Sequence, residues 1–481
     1  MLFNTFQFAT FFAAVVAVHF ALPQKYRWVL LLLASYYFYM CWNPPYVLVI
    51  MLITGIDYAA ARGMASTSNP TIRRNLLFVS LGSNLGLLFA FKYFNFAIAT
   101  TSSVLASFRL FPALPYSELL LPIGLSFHTF QAISYTVEVY RRKVAPERHL
   151  GIYALYVAFF PQLVAGPIER PYNLLPQFRR ATSFDPARVQ DGLKLIAWGL
   201  FKKAVVADLI SVVVNTVYAN PRQFSGLPLI VATAFFSIQI YCDFSGYSDM
   251  AVGIARILGY NLTINFRQPY MASSITDFWH RWHISLSTWF RDYVYIPLGG
   301  NRTTLARWCF NIMLVFLASG LWHGANWTFL VWGALNGAFL ILERAIVSVT
   351  SHLNKMTRWT GVGMPAWCGR LATMLAVTLA WVWFRAASVQ DALYIYSHML
   401  SIKPADLSTL WVLGLPRFEM GLACSMILVV LLVDYLQANT AFVQSSMWAW
   451  RPVRWATYAA CTYAIVFFGV FERIQFIYFQ F

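Results

Sequence analysis

Three observations predict an all-α, polytopic integral membrane protein. Only 11% of the 481 residues are charged and 59% are hydrophobic, whereas soluble domains average about 25% charged residues. Apolar runs of about 20 residues, the length a helix needs to cross a bilayer, recur from end to end. Along the first five of these runs, cations gather at every second boundary, as the positive-inside rule requires. The expectation is about 11–13 transmembrane or re-entrant helices, forming one transmembrane domain over residues 1–481.

The runs follow in order. Residues 1–24 are uncharged, and Lys25 and Arg27 come after the apolar stretch. A secretory signal carries its basic residues first, so this is read as a retained first helix whose cytoplasmic end is marked by those cations, with the N-terminus outside. A second helix over 28–42 reaches the uncharged turn Asn43-Pro44-Pro45, and a third over 46–61 returns to Arg62, Arg73 and Arg74. The fourth, over 76–103, exits to a loop holding Arg109 and Glu118; the fifth, over 118–140, returns to Arg141, Arg142 and Lys143. Further spans are predicted at 150–166, 192–218, 227–259, 308–322, 326–348, 368–387, 418–437 and 453–472.

Two regions break this pattern. Residues 161–191 hold five prolines and mixed charge, which excludes a regular spanning helix. Residues 261–303 are amphipathic and crowded with His, Arg, Asp and Trp. Such backbone survives at membrane depth only inside protein or beside a water-filled cavity, so a re-entrant or interfacial element is predicted there.

The net charge of +17 comes from 35 Lys and Arg against 18 Asp and Glu. These cations are scattered over short loops, which fits a cytoplasmic bias and attraction to anionic membrane lipids. A nucleic-acid partner is not expected, because no basic block is interleaved with aromatics. The six cysteines lie singly, without a C-x-x-C pair, and carry no redox or zinc signal.

Among candidate functional residues, His323 stands out in SGLWHGANWTF, 319–329. An ionisable group inside a span is costly and by default faces an interior site; the alternative is a neutral histidine bonded to a neighbouring helix. Ser319, Gly320, Gly324 and Ala325 leave room for a second group to approach. A neutral imidazole, with an unperturbed pKa of ~6.5, can take a proton as a general base or relay one in a transporter. Asn326 and the indole N–H groups of Trp322 and Trp327 are candidate oxyanion donors, or simply packing and interface groups.

His280 and His283 form H-x-x-H, with Asp277 three residues earlier. On a helix all three would share one side, but without H-E-x-x-H this is a weak metal pattern and no metal is expected. Instead one histidine is expected to join His323, with Arg281, Arg291 and Asp292 in ion pairs at the membrane surface. Asp243 and Asp249 lie in QIYCDFSGYSDMAVGIAR, 239–256, where Ser245, Gly246 and Ser248 permit a bend. Two acids inside a span suit a cation or proton pathway. The reading preferred here is structural, with both acids pairing to arginines of 261–303. Walker A, dinucleotide and G-x-S-x-G motifs are all absent, so any group transfer draws on a donor that is already activated.

Taken together, LPIGLSFHTFQAISYTVEVYR (121–141), FFPQLVAGPIERP (159–171), QIYCDFSGYSDMAVGIAR, DFWHRWHISLSTWFRDYVYIPLGGNR (277–302) and GLWHGANWTF (320–329) resemble the membrane-bound O-acyltransferases. The core motifs fall within 121–345, and the chain looks like the bacterial branch that acetylates alginate, cellulose or peptidoglycan. The D-alanyl transfer protein of teichoic acids is a cousin of that branch. The resemblance places the family's invariant histidine on His323 and its second histidine on His283. It further implies a ring of helices around a central tunnel, in a bacterial inner membrane, with the N-terminus periplasmic. His128 stands where relatives usually carry tyrosine, and His280 where they usually carry arginine.

The function so implied is acetyl transfer from a cytoplasmic thioester donor, acetyl-CoA, with no bound cofactor. The acceptor is a hydroxyl on the other face of the membrane, reached directly or through a periplasmic acetyltransferase-type partner, on an exopolysaccharide or cell-wall glycan. His323 would take the hydroxyl proton, His283 would orient donor or acceptor, and Asn326 with nearby N–H groups would stabilise the oxyanion. Two rivals belong to other classes. A proton-coupled transporter relaying through His323, Asp243 and Asp249 would carry inverted repeats, which the sequence does not display. A non-catalytic scaffold of a polysaccharide synthase would tolerate loss of the histidine.

Overall fold

In the computed structural model of the chain, residues 1–109, 116, 117, 119–357, 366–438, 450–471 and 477 are described. Among them every regular element is a helix. Seven helical stretches are long and apolar enough to cross a membrane: Pro44–Ser66, Pro70–Ser107, Leu227–Leu258, Leu305–His323, Trp327–Thr350, Trp367–Arg385 and Arg417–Ala438. The protein is therefore an all-helical, multi-pass membrane protein. Its residues divide into two compact units, Met1–Ile196 with Tyr247–Thr263, and Ala197–Gly246 with Ile264–Phe481.

The first unit holds α1 (Phe6–Ala21), α2 (Gln24–Met40), α3 (Val47–Ser66), α4 (Pro70–Leu88), α5 (Phe94–Ser107), α6 (Leu125–Tyr140), α7 (Leu150–Ala158), α8 (Phe160–Leu163), α9 (Pro171–Phe178) and the start of α10 (Pro186–Leu200). Asn69 starts α4 by accepting from the N–H groups of Thr71 and Ile72, with Pro70 at the first helical position. A π-helical turn, Phe89–Tyr93, carries α4 on into α5. Arg73 is buried and donates to the Met64 and Tyr140 carbonyls, which ties α4 to the C-terminal ends of α3 and α6.

Two predicted spans change shape. The one drawn at 118–140 becomes helical only at Leu125, because Gly124 has φ +76° and a side chain there would collide with the Leu163 carbonyl. The one drawn at 150–166 breaks at Phe159, where ψ is 110°, and resumes for only four residues as α8. The break is held by the Phe160 N–H, which donates to Ser35 Oγ of α2 at 3.0 Å.

The second unit takes the end of α10, α11 (Asp208–Ala219), most of α12 (Leu227–Leu258), α13 (Ile275–Arg281), α14 (Ile284–Phe290), α15 (Leu305–His323), α16 (Trp327–Thr357), α17 (Ala366–Arg385), α18 (Val389–His398), α19 (Asp406–Thr409), α20 (Arg417–Ala438) and α21 (Arg451–Phe468). A π-helical turn, Phe201–Ala207, joins α10 to α11. As the sequence predicts for 261–303, no spanning helix forms there; its part in this unit runs as short α13 and α14 followed by a π turn, Arg291–Tyr295.

The tightest crossing joins α15 to α16. A Cβ at Gly320 would run into the Phe329 carbonyl, and one at Gly333 into the Phe316 carbonyl, and each such Cβ would lie 3.4 Å from the other glycine's Cα. Small residues that let backbones touch are how helices pack where lipid supplies no hydrophobic drive. Gly320 and Gly324 therefore serve a helix crossing, whereas their small size in the sequence suggests room for an approaching group. Gly320→Ala and Gly333→Ala should each destabilise by about 1–3 kcal/mol, the usual cost of overpacking. The check is the Tm of purified protein in detergent, against Gly421→Ala, whose added Cβ meets nothing within 4 Å. Equal Tm values for the three variants would mean that the crossing is loose.

Candidate active site

His283 sits between two short helices. Ser274 caps α13 by accepting from the Asp277 N–H at 3.0 Å, and the helix ends at Arg281. His283 then adopts φ 43°, ψ 54°, the left-handed region, which is costly for a non-glycine residue and persists only when its surroundings enforce it. Asn265 does the enforcing. Its carbonyl accepts from the Ile284 N–H at 3.0 Å, and its Oδ1 accepts from the Ser285 N–H at 3.1 Å. The same Oδ1 lies 3.4 Å from His283 Nδ1.

An amide oxygen can only accept, so Nδ1 carries the hydrogen and Nε2 presents the lone pair. Burial drives the His283 pKa down to about 3, which keeps the ring neutral at physiological pH. Phe244 meets it edge-on, with centroids 4.6 Å apart at 89°.

His323 is the last residue of α15 and is 4% exposed. Three rings surround it edge-on: Trp322 at 4.9 Å, Trp332 at 5.0 Å and Phe384 at 5.2 Å. Trp332 is itself stacked on Trp381 at 5.6 Å. The Trp322 indole also lies 6.1 Å from His283, so the two histidines share one aromatic neighbour. His323 stands at the carbonyl end of α15, where the helix dipole favours positive charge. A neutral histidine with a fixed tautomer and a second histidine buried among aromatic rings can orient a substrate and move a proton.

The remaining predicted residues are distributed as follows. Ser319 is buried one turn before His323. Asn326 donates from Nδ2 to the Ala387 carbonyl at 3.2 Å and accepts on Oδ1 from the Thr328 N–H at 3.2 Å, at the start of α16. Trp327 is 53% exposed, in keeping with an interface anchor. Arg291 pairs with Asp292 at 2.8 Å, and Arg281 with Asp277 at 2.7 Å. Because α13 stops before His283, Asp277, His280 and His283 do not share a helix face. Among the described residues no group of three metal-type ligands forms. His128, buried on α6, and Asp249, half-buried on α12, belong to the first unit.

Asp243 corrects the sequence reading. It pairs with Lys203 at 2.7 Å, and not with an arginine of 261–303; Lys203 also reaches Asp208 at 2.8 Å, and Asp243 accepts from the Ile477 N–H at 2.8 Å. Gly246 permits this contact, since a Cβ there would lie 2.7 Å from the Gly199 carbonyl and 3.1 Å from the Lys203 nitrogen. α12 runs unbroken past it. Asn265, Phe244, Trp332, Phe384 and Lys203 were all missed from sequence. Only Lys203, a cation inside a predicted span, carried a signal that could have found it.

The sequence pattern of the membrane-bound O-acyltransferase family matches residues 148–380, a stretch holding both histidines, Asn265 and Trp332. The chain is 38% identical to "Probable alginate O-acetylase AlgI" of Pseudomonas putida over 85% of its own length and 81% of the relative. To the peptidoglycan O-acetyltransferase of Helicobacter pylori it is 34% identical, over 85% and 81%. A more distant match, 28% identical over 50% of this chain and 61% of the relative, is the teichoic acid D-alanyltransferase of Streptococcus thermophilus. On the strength of two relatives matched over most of their length, the chain belongs to the membrane-bound O-acyltransferase family and is an O-acyltransferase.

Proposed function

We propose that this enzyme moves an acetyl group from a thioester, acetyl-CoA, offered on the cytoplasmic side of a bacterial inner membrane, to a hydroxyl offered on the opposite, periplasmic side. The product is an O-acetylated exopolysaccharide or cell-wall glycan, formed directly or through a hydroxyl of a periplasmic partner protein. The names of the relatives, an alginate O-acetylase and a peptidoglycan O-acetyltransferase, support this substrate class. The observation that carries the chemistry is the enclosure of His323 by Trp322, Trp332 and Phe384, with His283 a neighbour of the same Trp322.

In the proposed reaction the acceptor oxygen attacks the thioester carbonyl, a C–O bond forms and the C–S bond breaks. His323 takes the hydroxyl proton and returns it to the departing sulfur. His283, neutral and held by Asn265, accepts a hydrogen bond that orients donor or acceptor. Trp322, whose indole neighbours both imidazoles, is the N–H donor proposed for the oxyanion ahead of Asn326, whose amide already bonds backbone through Nδ2 and Oδ1. General base help supplies about 10²–10⁴-fold; positioning and electrostatics in the enclosure supply the rest.

His323→Ala in reconstituted protein, supplied with labelled acetyl-CoA and a candidate acceptor, should lose about 10²–10⁴-fold in transfer rate while keeping its Tm. Undiminished transfer by the folded variant would overturn the assignment. Asn265→Leu should lower kcat by up to about 10²-fold, the cost of a misplaced group, with KM for the thioester nearly unchanged. Asn265→Asp keeps an acceptor opposite Nδ1, so it should retain more activity than Asn265→Leu. Its added negative charge should also raise the His283 pKa and shift the acid limb of the pH profile upward. A pH profile identical to wild type would mean that Asn265 does not act through His283.

A further inference from the structure

Glu343 has no part in the chemistry proposed above. It lies on α16 within a membrane-spanning stretch, half-buried, eleven residues beyond Trp332. An acid in such a place is expensive, so what its carboxylate holds is informative. It holds the first turn of α13. Oε2 accepts from the Ile275 N–H at 2.6 Å and the Thr276 N–H at 3.2 Å, and Oε1 accepts from the Thr276 hydroxyl at 2.6 Å. The next N–H groups are taken by Ser274, that of Asp277 by its Oγ and that of Phe278 by its carbonyl at 2.9 Å. Seven residues make too short a helix to persist unaided, so the place of α13 depends on bonds and packing from outside it.

α16 meets α13 a second time. The Trp279 ring lies 5.9 Å from Trp332, at 72°, and Trp332 is the ring that meets His323 at 5.0 Å. Along α16 the two contact points are about 16 Å apart, at 1.5 Å per residue. One point would leave α13 free to pivot, whereas two set its direction. α13 ends at Arg281, two residues before His283, and the residue between, Trp282, packs against Trp381 at 5.0 Å, itself stacked on Trp332. A single helix thus touches His323 directly and holds the start of the segment that presents His283. Of its two grips on α13 the Glu343 one is charge-assisted, and bonds of that kind are about twice as strong as neutral ones.

We propose that Glu343 is a positioning residue for acyl transfer: by tying the first turn of α13 to α16, it sets where His283 stands relative to His323. This rests on the roles given to the two histidines above.

The test uses the full chain reconstituted in membranes with labelled acetyl-CoA and a candidate acceptor, and reads kcat per folded molecule alongside Tm. Glu343→Ala should lower kcat by up to about 10²-fold, the cost of a misplaced group, with KM for the thioester nearly unchanged. Glu343→Gln, which keeps one acceptor oxygen, and Thr276→Val, which removes only the hydroxyl bond, should each lose a few-fold. In the Glu343→Ala, Asn265→Leu double variant the combined loss should be smaller than the product of the single losses, because both residues act through the placement of His283. A residue that merely steadied the fold would lower Tm, leave kcat per folded molecule at the wild-type value and combine with Asn265→Leu multiplicatively. Wild-type kcat in folded Glu343→Ala, or a multiplicative loss in the double variant, overturns the proposal; should Glu343→Ala fail to fold, wild-type kcat in both milder variants overturns it instead. His283→Ala separates the positioning role from the role of His283 itself. Wild-type transfer by that variant sinks both, whereas impaired transfer beside unimpaired Glu343→Ala sinks the positioning role alone.

Discussion

Where α15 crosses α16, Gly320 and Gly333 bring two helix backbones into contact, and the position of His323 follows from it. The Phe329 and Phe316 carbonyls occupy the space that side chains would take on either partner. One turn beyond Gly320, Gly324 rests against the Phe329 ring, and His323 between them is turned towards Trp332 of α16 and Phe384 of α17. A larger residue at the crossing would push α15 outward and open the ring contacts around the imidazole. In a membrane, where apolar surface gains little by leaving lipid, such close packing is the main force holding helices in register.

The surroundings of the two histidines are unlike each other. His283 is held through hydrogen bonds: Asn265 satisfies the backbone of the strained turn and fixes the ring tautomer through one amide oxygen. His323 is enclosed by the Trp322, Trp332 and Phe384 rings, each set across its own plane. Neither device involves a metal-type ligand set among the described residues.

Much of this was legible in the sequence because charge in an apolar span is conspicuous. The cations alternating along the first five runs gave the helical, multi-pass architecture, and His323 and His283 stood out as ionisable groups amid Trp, Ser and Gly. What stayed hidden depends on three-dimensional neighbours. Asp243 was visible, but its partner was assigned to the nearest basic segment in sequence, whereas the Phe201–Ala207 turn presents Lys203 to it. Asn326 resembled an oxyanion donor because its residue type fits, and only the backbone around it reveals a helix start. Asn265 carries no mark at all in INFRQPY, since one asparagine in a loop has no periodicity or charge to betray it.

Asp243, paired with Lys203 and bonded to the Ile477 N–H, fastens α12 to the Phe201–Ala207 turn, and breaking such a buried pair costs about 3–5 kcal/mol. A positive charge on the His323 imidazole would be favoured by the carbonyl end of α15, by about 0.3–1 kcal/mol, while ring edges, which carry positive partial charge, add nothing to it. In the proposed reaction a proton taken from the attacking hydroxyl would therefore have to pass on to the departing sulfur.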